Sequence, residues 1–202
     1  MARSLYPAKH LTEQQKDTLR ESAERWVLIK CARATNKKVF LKGGTGPDVE
    51  MEGIASKLVG SLPESEIIAR DLLPDTDLNA GGVAFDQWQT QALVAATELQ
   101  FVNQQIRTDQ CVSVYGVFTM DANPGISRIR CLNGTSVVMT AWECQKLWAA
   151  EDSMGYADEF VGWDYNQTVS IFLMPFLTKA AGERFGFLGY IAEPKGTGPV
   201  TK

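Results

Sequence analysis

The second half of the chain repeats one pattern, and this pattern constrains the fold more than any other feature of the sequence. From about residue 110, five segments are rich in branched and aromatic residues and are bounded by Gly, Pro, Asn or Asp. Short runs of this composition between turn residues are typical of β-strands. The sequence therefore predicts strands at residues 112–119, 126–132, 135–142, 168–174 and 184–191.

Two turn signals indicate how the first three of these strands connect. Asn133-Gly134 separates the second strand from the third, and both residues tolerate the positive φ of a tight hairpin turn. Residues 121–125, with Pro124 and Gly125, form the preceding turn. We therefore expect an antiparallel meander, followed by a long connection over residues 152–166. This order is typical of an antiparallel β-sandwich of the jelly-roll kind.

Helical spacing is found mainly in the first half of the chain. Thr12 and Gln15 form the pattern of a capping box, and apolar residues then recur at steps of three and four to about residue 34. Further helices are predicted at 49–59, 64–72, 85–102 and 142–150, with a pair of strands as the alternative for 85–102. The predicted fold class is α+β, with an N-terminal helical region followed by the β-sandwich.

These patterns divide the chain into four parts. Residues 1–46 form a basic helical segment, and residues 47–109 form a mainly helical region packed on the body. Residues 110–192 form the β-sandwich, and residues 193–202 form an extended tail that is rich in Gly and Pro. A chain of 202 residues has no room for three independent domains.

Charge is divided unevenly between the first 42 residues and the rest of the chain. The first 42 residues carry ten Lys and Arg against four Asp and Glu, a net charge of +6. The whole chain has a net charge of −4, so the remaining residues carry −10. Surfaces of opposite charge are complementary between copies, which favours docking of the chain on itself. Nucleic-acid binding by the basic segment is a second hypothesis, and a solvated helix face is the structural alternative.

The sequence contains none of the common motifs of histidine-dependent or zinc-dependent enzymes. The single histidine, His10, precedes the first helix, and the chain has no Gly-x-Ser-x-Gly or His-Glu-x-x-His motif. The four cysteines form no Cys-x-x-Cys pair, which indicates reduced, buried thiols and not a zinc site. We therefore expect neither a cofactor nor an enzyme that depends on a histidine base.

An incomplete calcium-binding pattern lies in residues 75–86. Oxygen-bearing side chains stand at positions 1, 3, 5 and 12 of a loop like that of an EF-hand, at Asp75, Asp77, Asn79 and Asp86. Position 6 is Ala80 where the sharp turn calls for Gly, and position 12 is Asp, whose side chain is shorter than that of Glu. The pattern favours a polar turn, and we expect no bound metal.

Acidic and aromatic residues alternate in the predicted connection at 152–166. Carboxylates beside aromatic rings are the residue types of a sugar-binding site, or of a glycosidase with paired carboxylates. The residues concerned are Tyr156, Asp158, Glu159, Trp163 and Asp164. The structural alternative is an ordered loop whose aromatic residues anchor it to the body or to another subunit.

The function that these features predict is that of a self-assembling structural protein, such as a virion coat or capsid component or another shell subunit. Its homo-oligomeric interfaces are expected to include Arg20, Arg25, Trp26, Arg33, Trp163, Tyr165 and Phe185. The alternatives are a carbohydrate- or small-ligand-binding β-sandwich and a carboxylate-dependent hydrolase. The sequence shows neither a membrane-spanning stretch nor an export signal, so we expect a cytoplasmic location, or a virion if the source is viral.

Overall fold

The computed structural model describes residues 2–39, 41, 65–78, 88–134 and 137–197. The strands in these residues are β1 Ala2–Pro7, β2 Ile67–Asp71, β3 Leu99–Gln105, β4 Cys111–Thr119, β5 Ile126–Asn133, β6 Val137–Glu143, β7 Met154–Trp163, β8 Thr168–Pro175 and β9 Phe185–Pro194. The helices are α1 Glu13–Thr35, α2 Pro74–Leu78 and α3 Gln145–Ala149, and a 3-10 turn occupies Ala8–His10. The nine strands form one sheet in the order β2-β9-β4-β7-β1-β6-β5-β8-β3.

This sheet curls on itself, and β1 joins its two halves. The start of β1 pairs with β6 in parallel, whereas its end pairs with β7 in the antiparallel sense. We call β2, β9, β4 and β7 the first half-sheet, and β6, β5, β8 and β3 the second half-sheet. Their facing sides enclose the main core, to which Val114 and Phe187 contribute from the first and Trp142 and Ile171 from the second. Helix α2 contacts the edge strand β3, and its Leu78 is buried in the same core.

The predicted combination of an N-terminal helix with a β-rich body is confirmed. The two-sheet arrangement is not, because hydrogen bonding continues through β1 from one half to the other. A jelly-roll-like sandwich is therefore not confirmed, and the protein has one curled sheet in its place.

Helix α1 begins and ends as the sequence predicts. The backbone N–H of Gln15 donates to the Thr12 hydroxyl at 3.2 Å, and the N–H of Thr12 donates to the Gln15 side chain at 2.9 Å. These two hydrogen bonds are the capping box. The helix ends at Asn36, which has a left-handed conformation with φ of 53°. Among the described residues, no helix is both long enough and apolar enough to cross a membrane.

The outer face of the first half-sheet carries α1, so its strands are buried on both sides. In β4, Val112 and Val114 face the main core, whereas Cys111 and Tyr115 pack toward the helix. Ala23, Val27 and Cys31 are the helix residues that are fully buried in this contact. Burial on both faces explains why β4 reads as a nearly continuous apolar run.

A bulge interrupts the pairing of β4 with β7. Val114 pairs with Val161 and Gly116 pairs with Tyr156, so that residues 157–160 of β7 lie opposite Tyr115 alone. The same residue of β4 is also unpaired against β9. Bulges bend a strand and change the direction of its side chains. As a result, Asp158 and Glu159 lie exposed at the surface.

The predicted hairpin is confirmed, but the predicted meander is wrong. Strands β5 and β6 pair in the antiparallel sense, and Gly134 lies in the turn with φ of 67°. Strand β4 does not continue this meander, because its two partners are β7 and β9. Residues 154–163, which were predicted to be a loop, form β7 and occupy the place beside β4.

Other predicted helices are wrong where their residues pair with a strand of the sheet. Residues 67–71 of the predicted helix 64–72 form β2, which pairs with β9. Residues 99–102 of the predicted helix 85–102 belong to β3, which pairs with β8, so the strand alternative was correct there. The predicted helix 142–150 starts only at Gln145, because Trp142 and Glu143 belong to β6. The predicted helix 49–59 lies outside the described residues.

The predicted tail also begins later than expected. Glu193 and Pro194 belong to β9, where they pair with β2. Residues 198–202 lie outside the described residues.

Candidate functional site

The five residues of the predicted ligand site do not converge. Trp163 is fully buried in the main core, where its indole N–H donates to the Leu132 carbonyl at 2.8 Å. Tyr156 lies on the opposite face of β7, under α1, and Asp164 forms an ion pair of 2.7 Å with Lys30. Asp164 follows the last residue of β7, whereas Asp158 and Glu159 lie in its middle, at the bulge against β4. Asp158 and Glu159 thus stay together at the surface, but Asp164 is paired with Lys30, so the three carboxylates named for a hydrolase do not form one cluster.

Helix α1 leaves a depression on each side as it crosses the first half-sheet. The depression toward β7, which we call the helix groove, has a volume of about 770 Å³. It is lined by Tyr6, Leu11, Gln14, Gln15, Thr18, Leu19, Ser22, Ala157, Asp158, Glu159 and Phe160. The depression toward β9, which we call the aromatic cleft, has a volume of about 400 Å³. It is lined by Arg20, Asp71, Leu72, Trp88, Tyr115, Phe118, Phe187, Leu188, Gly189 and Tyr190.

The aromatic cleft forms where β2 ends while β4 and β9 continue. The chain leaves the sheet after Asp71, and Leu72 donates its N–H to the Gly189 carbonyl at 3.2 Å. Farther along β9, Trp88 packs on Gly186, where a Cβ atom would lie only 2.5 Å from the indole ring. Glycine in a strand often marks such a close approach. Arg20 of α1 and Trp88 therefore both line a stretch of sheet that no other described residue covers.

The guanidinium of Arg20 is held in place at one wall of this cleft. Its Nη2 donates to the Tyr156 hydroxyl at 2.6 Å. The ring of Tyr156 stacks on that of Tyr115, with ring centroids 6.2 Å apart and planes inclined by 21°. The ring centroids of Tyr115 and Tyr190 are 5.4 Å apart. Burial raises the pKa of Tyr115, so its hydroxyl stays protonated at neutral pH. The cleft thus combines one fixed cation with neutral phenols.

A third surface feature lies at the end of the molecule where β8 finishes. The loops of residues 91–97 and 175–182 are joined by two backbone hydrogen bonds of 2.9 Å between Leu93 and Lys179. Buried Glu183 accepts from the N–H of Gly125 at 2.7 Å and pairs with Lys179 at 3.0 Å. These rigid loops carry three exposed large apolar side chains, Val94, Phe176 and Leu177, which we call the apolar rim.

The residues that were predicted to line interfaces differ in their exposure to solvent. Trp163 and Phe185 are fully buried in the main core, so their assignment to an interface is wrong. Both stand in strands that face inward, and Phe185 packs against Phe187 with ring centroids 5.7 Å apart. The exposed members of the set are Arg33 and Tyr165, and the half-buried members are Arg20, Arg25 and Trp26.

The structure contradicts the calcium pattern at its one fully described residue. The buried carboxylate of Asp77 accepts two hydrogen bonds from Arg70, at 2.6 and 2.8 Å, and one from the Leu73 N–H at 2.7 Å. The guanidinium of Arg70 therefore occupies the position beside Asp77 that a calcium ion would need. Asn79, Asp86 and the side chain of Asp75 lie outside the described residues.

Two lysines of the basic N-terminal segment have polar partners in the β-rich body of the same chain, and one of them, Lys30, forms an ion pair. The backbone N–H of Lys9 donates to Asp152 at 3.0 Å, and its ammonium group donates to the Ala150 carbonyl. Lys30 pairs with Asp164 near the end of β7. The charge complementarity that the sequence predicts between copies therefore exists partly within a single chain, at the Lys30–Asp164 pair.

The chain matches no protein family model, no curated protein and no solved structure. Its functional interpretation depends on the geometry of its own residues. Sequence reasoning singled out Arg20 but missed Trp88, Tyr115 and Tyr190 as its neighbours, because they come from separate segments of the chain. The glycines of β9 were the one available signal, since Gly186 and Gly189 interrupt a strand pattern.

Proposed function

We propose that this protein is a self-assembling structural protein whose copies associate through the apolar rim, as subunits of a coat or shell do. The observation that carries this proposal is the exposure of Val94, Phe176 and Leu177, at 54%, 43% and 40%, on loops that are fixed by hydrogen bonds. The two loops adjoin through the Leu93–Lys179 hydrogen bonds, and exposed apolar side chains that join into a large patch mark interaction sites. A surface already rigid before contact loses little conformational entropy when a partner binds.

The size of the hydrophobic gain limits what the rim does alone. Burying a large apolar side chain completely contributes about 1.5 to 3 kcal/mol, and these three are already about half covered. Their burial between two copies would contribute roughly 2 to 4 kcal/mol in total. A micromolar dissociation constant needs about 8 kcal/mol, so the interface must extend onto neighbouring surface. Met120, which is 64% exposed, directly follows β4, and the next residue, Asp121, pairs with Lys179 of these loops.

Charge has a smaller part in this proposal than the sequence suggested. Lys9 and Lys30 already have acidic or carbonyl partners in their own chain. The Lys30–Asp164 ion pair occupies one of the ten basic groups that the N-terminal segment could offer to phosphate. Association through the rim should therefore persist when salt screens exposed charges, over a Debye length of about 3 Å at 1 M salt.

Sedimentation velocity and electron microscopy of the purified chain test the proposal. The wild-type chain is expected to form large homo-oligomers at both low and moderate salt, whereas the double variant F176S/L177S is expected to remain monomeric. The control V137S/V138S makes the same kind of change at two exposed apolar residues near the opposite end of β5. A wild-type chain that is strictly monomeric at high concentration would overturn the proposal, as would assembly of F176S/L177S at the wild-type concentration.

A further inference from the structure

We propose that the aromatic cleft binds a small planar aromatic monocarboxylate, with Arg20 as the group that binds the carboxylate. This inference is independent of assembly, since the cleft and the apolar rim share no residue. The cleft volume of about 400 Å³ lies within the range of small-ligand sites, about 300 to 1,000 Å³. Its lining surface is divided about equally between polar and apolar atoms, so aromatic rings stand beside groups that can form hydrogen bonds with a ligand.

The aromatic side chains favour a ligand with a ring. Trp88 meets Phe118 with ring centroids 6.3 Å apart and planes at 89°, and it meets Phe187 at 5.8 Å and 82°. Rings in such edge-to-face contacts present both faces and edges to the space beside them. Aromatic ligands bind in offset-stacked or edge-to-face positions against such a wall. An aliphatic acid would lose these contacts.

Arg20 supplies the recognition of the carboxylate. A guanidinium has five N–H donors in a planar fork that matches the two oxygens of a carboxylate. Among the described residues, Arg20 donates at 2.6 Å to the Tyr156 hydroxyl and at 3.5 Å to Asp17. Tyr156 is 1% exposed, so it anchors one side of the fork from below and the rest of the fork remains able to bind a ligand.

The other polar groups of the cleft limit the charge of the ligand. Tyr115 and Tyr190 place phenolic hydroxyls in the cleft, where these groups are hydrogen-bonded to each other and add polar surface without adding charge. Asp71 also lines the cleft, and it disfavours a second negative charge on the ligand. With Asp71 in the lining and Asp17 3.5 Å from Arg20, a second carboxylate on the ligand would meet repulsion, which favours a monocarboxylate over a dicarboxylate.

Calorimetry with three probes on the full chain tests this site. The probes are 1-naphthoate, the neutral naphthalene-1-methanol and hexanoate, which keep the acid and the ring, the ring alone, and the acid alone. We expect measurable binding of 1-naphthoate at millimolar concentration or below, and binding at least tenfold weaker for each of the other two. Absence of 1-naphthoate binding, or equal binding of the neutral probe, would overturn the proposal.

Variants of α1 assign the binding to Arg20. R20Q is expected to weaken 1-naphthoate binding roughly tenfold or more and to leave the weak binding of naphthalene-1-methanol unchanged. R20K keeps the charge but not the planar fork, so its affinity should fall between those of R20Q and wild type. The control R25Q makes the same change on the same helix at a residue outside the cleft lining, and it should bind like wild type. Wild-type affinity in a folded R20Q, verified by its melting temperature, would also overturn the proposal.

The rim variant F176S/L177S separates this inference from self-assembly. It is expected to bind 1-naphthoate with wild-type affinity whether or not it assembles. Loss of binding in this variant, with a wild-type melting temperature, would contradict the independence of the two surfaces.

Discussion

Arg70 holds Asp77 through two hydrogen bonds, with 2.6 Å between Nη1 and Oδ2 and 2.8 Å between Nη2 and Oδ1. The Nε of the same guanidinium donates to buried Glu193 at 2.9 Å, and Gln110 donates to the other oxygen of Glu193 at 2.8 Å. This network joins α2 to the edge strand β2 and to β9. Buried carboxylates with this many donors are stable only as a set, since each loses hydration on folding.

The substitution D77A should lower the free energy of unfolding by about 2 to 4 kcal/mol. Breaking a buried ion pair costs about 3 to 5 kcal/mol. The loss expected here is smaller because the Arg70 side chain is 23% exposed and keeps its ion pair with Glu193. Urea denaturation measures the change. D109A is the matched control, because it removes the partner of Arg107 in a pair with exposed fractions of 49% and 29%. There the expected loss is below about 1 kcal/mol.

Two results would contradict this assignment of Asp77. The first is equal stability of D77A and D109A. The second is a large rise in melting temperature of the wild-type chain on addition of calcium that D77A abolishes, since Asp77 would then be a metal ligand.

The N-terminal capping box makes a prediction for α1. T12A should reduce the free energy of unfolding by about 1 kcal/mol, because it leaves the Gln15 N–H without its side-chain acceptor. T18A is the same substitution inside the helix, where the Thr18 hydroxyl donates to the Gln14 carbonyl. It should be neutral or slightly stabilising, because Ala has the higher helix propensity. Equal losses in the two variants would show that the cap contributes nothing.

The close approach of β4 to β9 predicts that G189A is destabilising. A Cβ atom at Gly189 would lie 2.2 Å from the Ser113 carbonyl oxygen and 2.5 Å from Leu72, and the backbone oxygen cannot move without breaking strand pairing. We expect a loss of about 1 to 3 kcal/mol in thermal or urea unfolding. The control G134N replaces a glycine that has φ of 67° and open space around it. Asn tolerates this conformation, so G134N should change stability little.

The buried thiols predict a loss of stability in alkaline solution. All four cysteines are free and buried, and burial, with Asp109 nearby, raises the pKa of Cys31 to about 12. In the unfolded chain a thiol ionises near pH 8.5, so the unfolded state binds fewer protons than the folded state above that pH. The stability contributed by the neutral thiol is present below pH 8.5 and declines from there toward pH 12. Each proton that the unfolded chain releases and the folded chain retains contributes roughly 1 kcal/mol per pH unit to this decline, and Cys31 is one such group.

Urea denaturation at pH 8 and pH 10 measures this decline, and C31A isolates the share of Cys31. The variant is expected to lose stability less steeply with pH than the wild type, although it is less stable at both values. As an independent measurement, Ellman's reagent at pH 8 should react slowly with the folded chain and rapidly with four thiols in urea. A parallel decline in C31A, or fast reaction of the folded chain, would contradict the prediction.

The elements that were predicted correctly depend on neighbours in the chain. The capping box joins Thr12 to Gln15, and the turn at Gly134 joins two strands of the same hairpin. The elements that were missed depend on distant partners. Strand β7 has a polar, aromatic sequence typical of a loop, yet β4 and β1 supply pairing on both of its edges. Within the described part of the chain, strands β2 and β3 pair with β9 and β8, which come from much later in the sequence.

The candidate sites show the same limit. Asp77 matched a ligand pattern, but a guanidinium seven residues earlier binds it once β2 and α2 pack together. Trp163 and Phe185 have the composition of an interface, and the direction of their strands places both inside the curl. Arg20 was expected to contact a partner, and its neighbours in the cleft come from β4, β9 and the segment at Trp88.

The sequence by itself determined the first helix, the β5–β6 hairpin and the strand-rich second half, because capping, turn conformation and strand propensity act over a few residues. Only the tertiary structure decided that β1 joins two half-sheets into one, that β7 is a strand, and that Arg20 faces an aromatic cleft. These outcomes depend on backbone groups and side chains that lie more than a hundred residues apart, such as Arg20 and Tyr156. Their contact depends on how the whole sheet curls, and no local pattern contains that information.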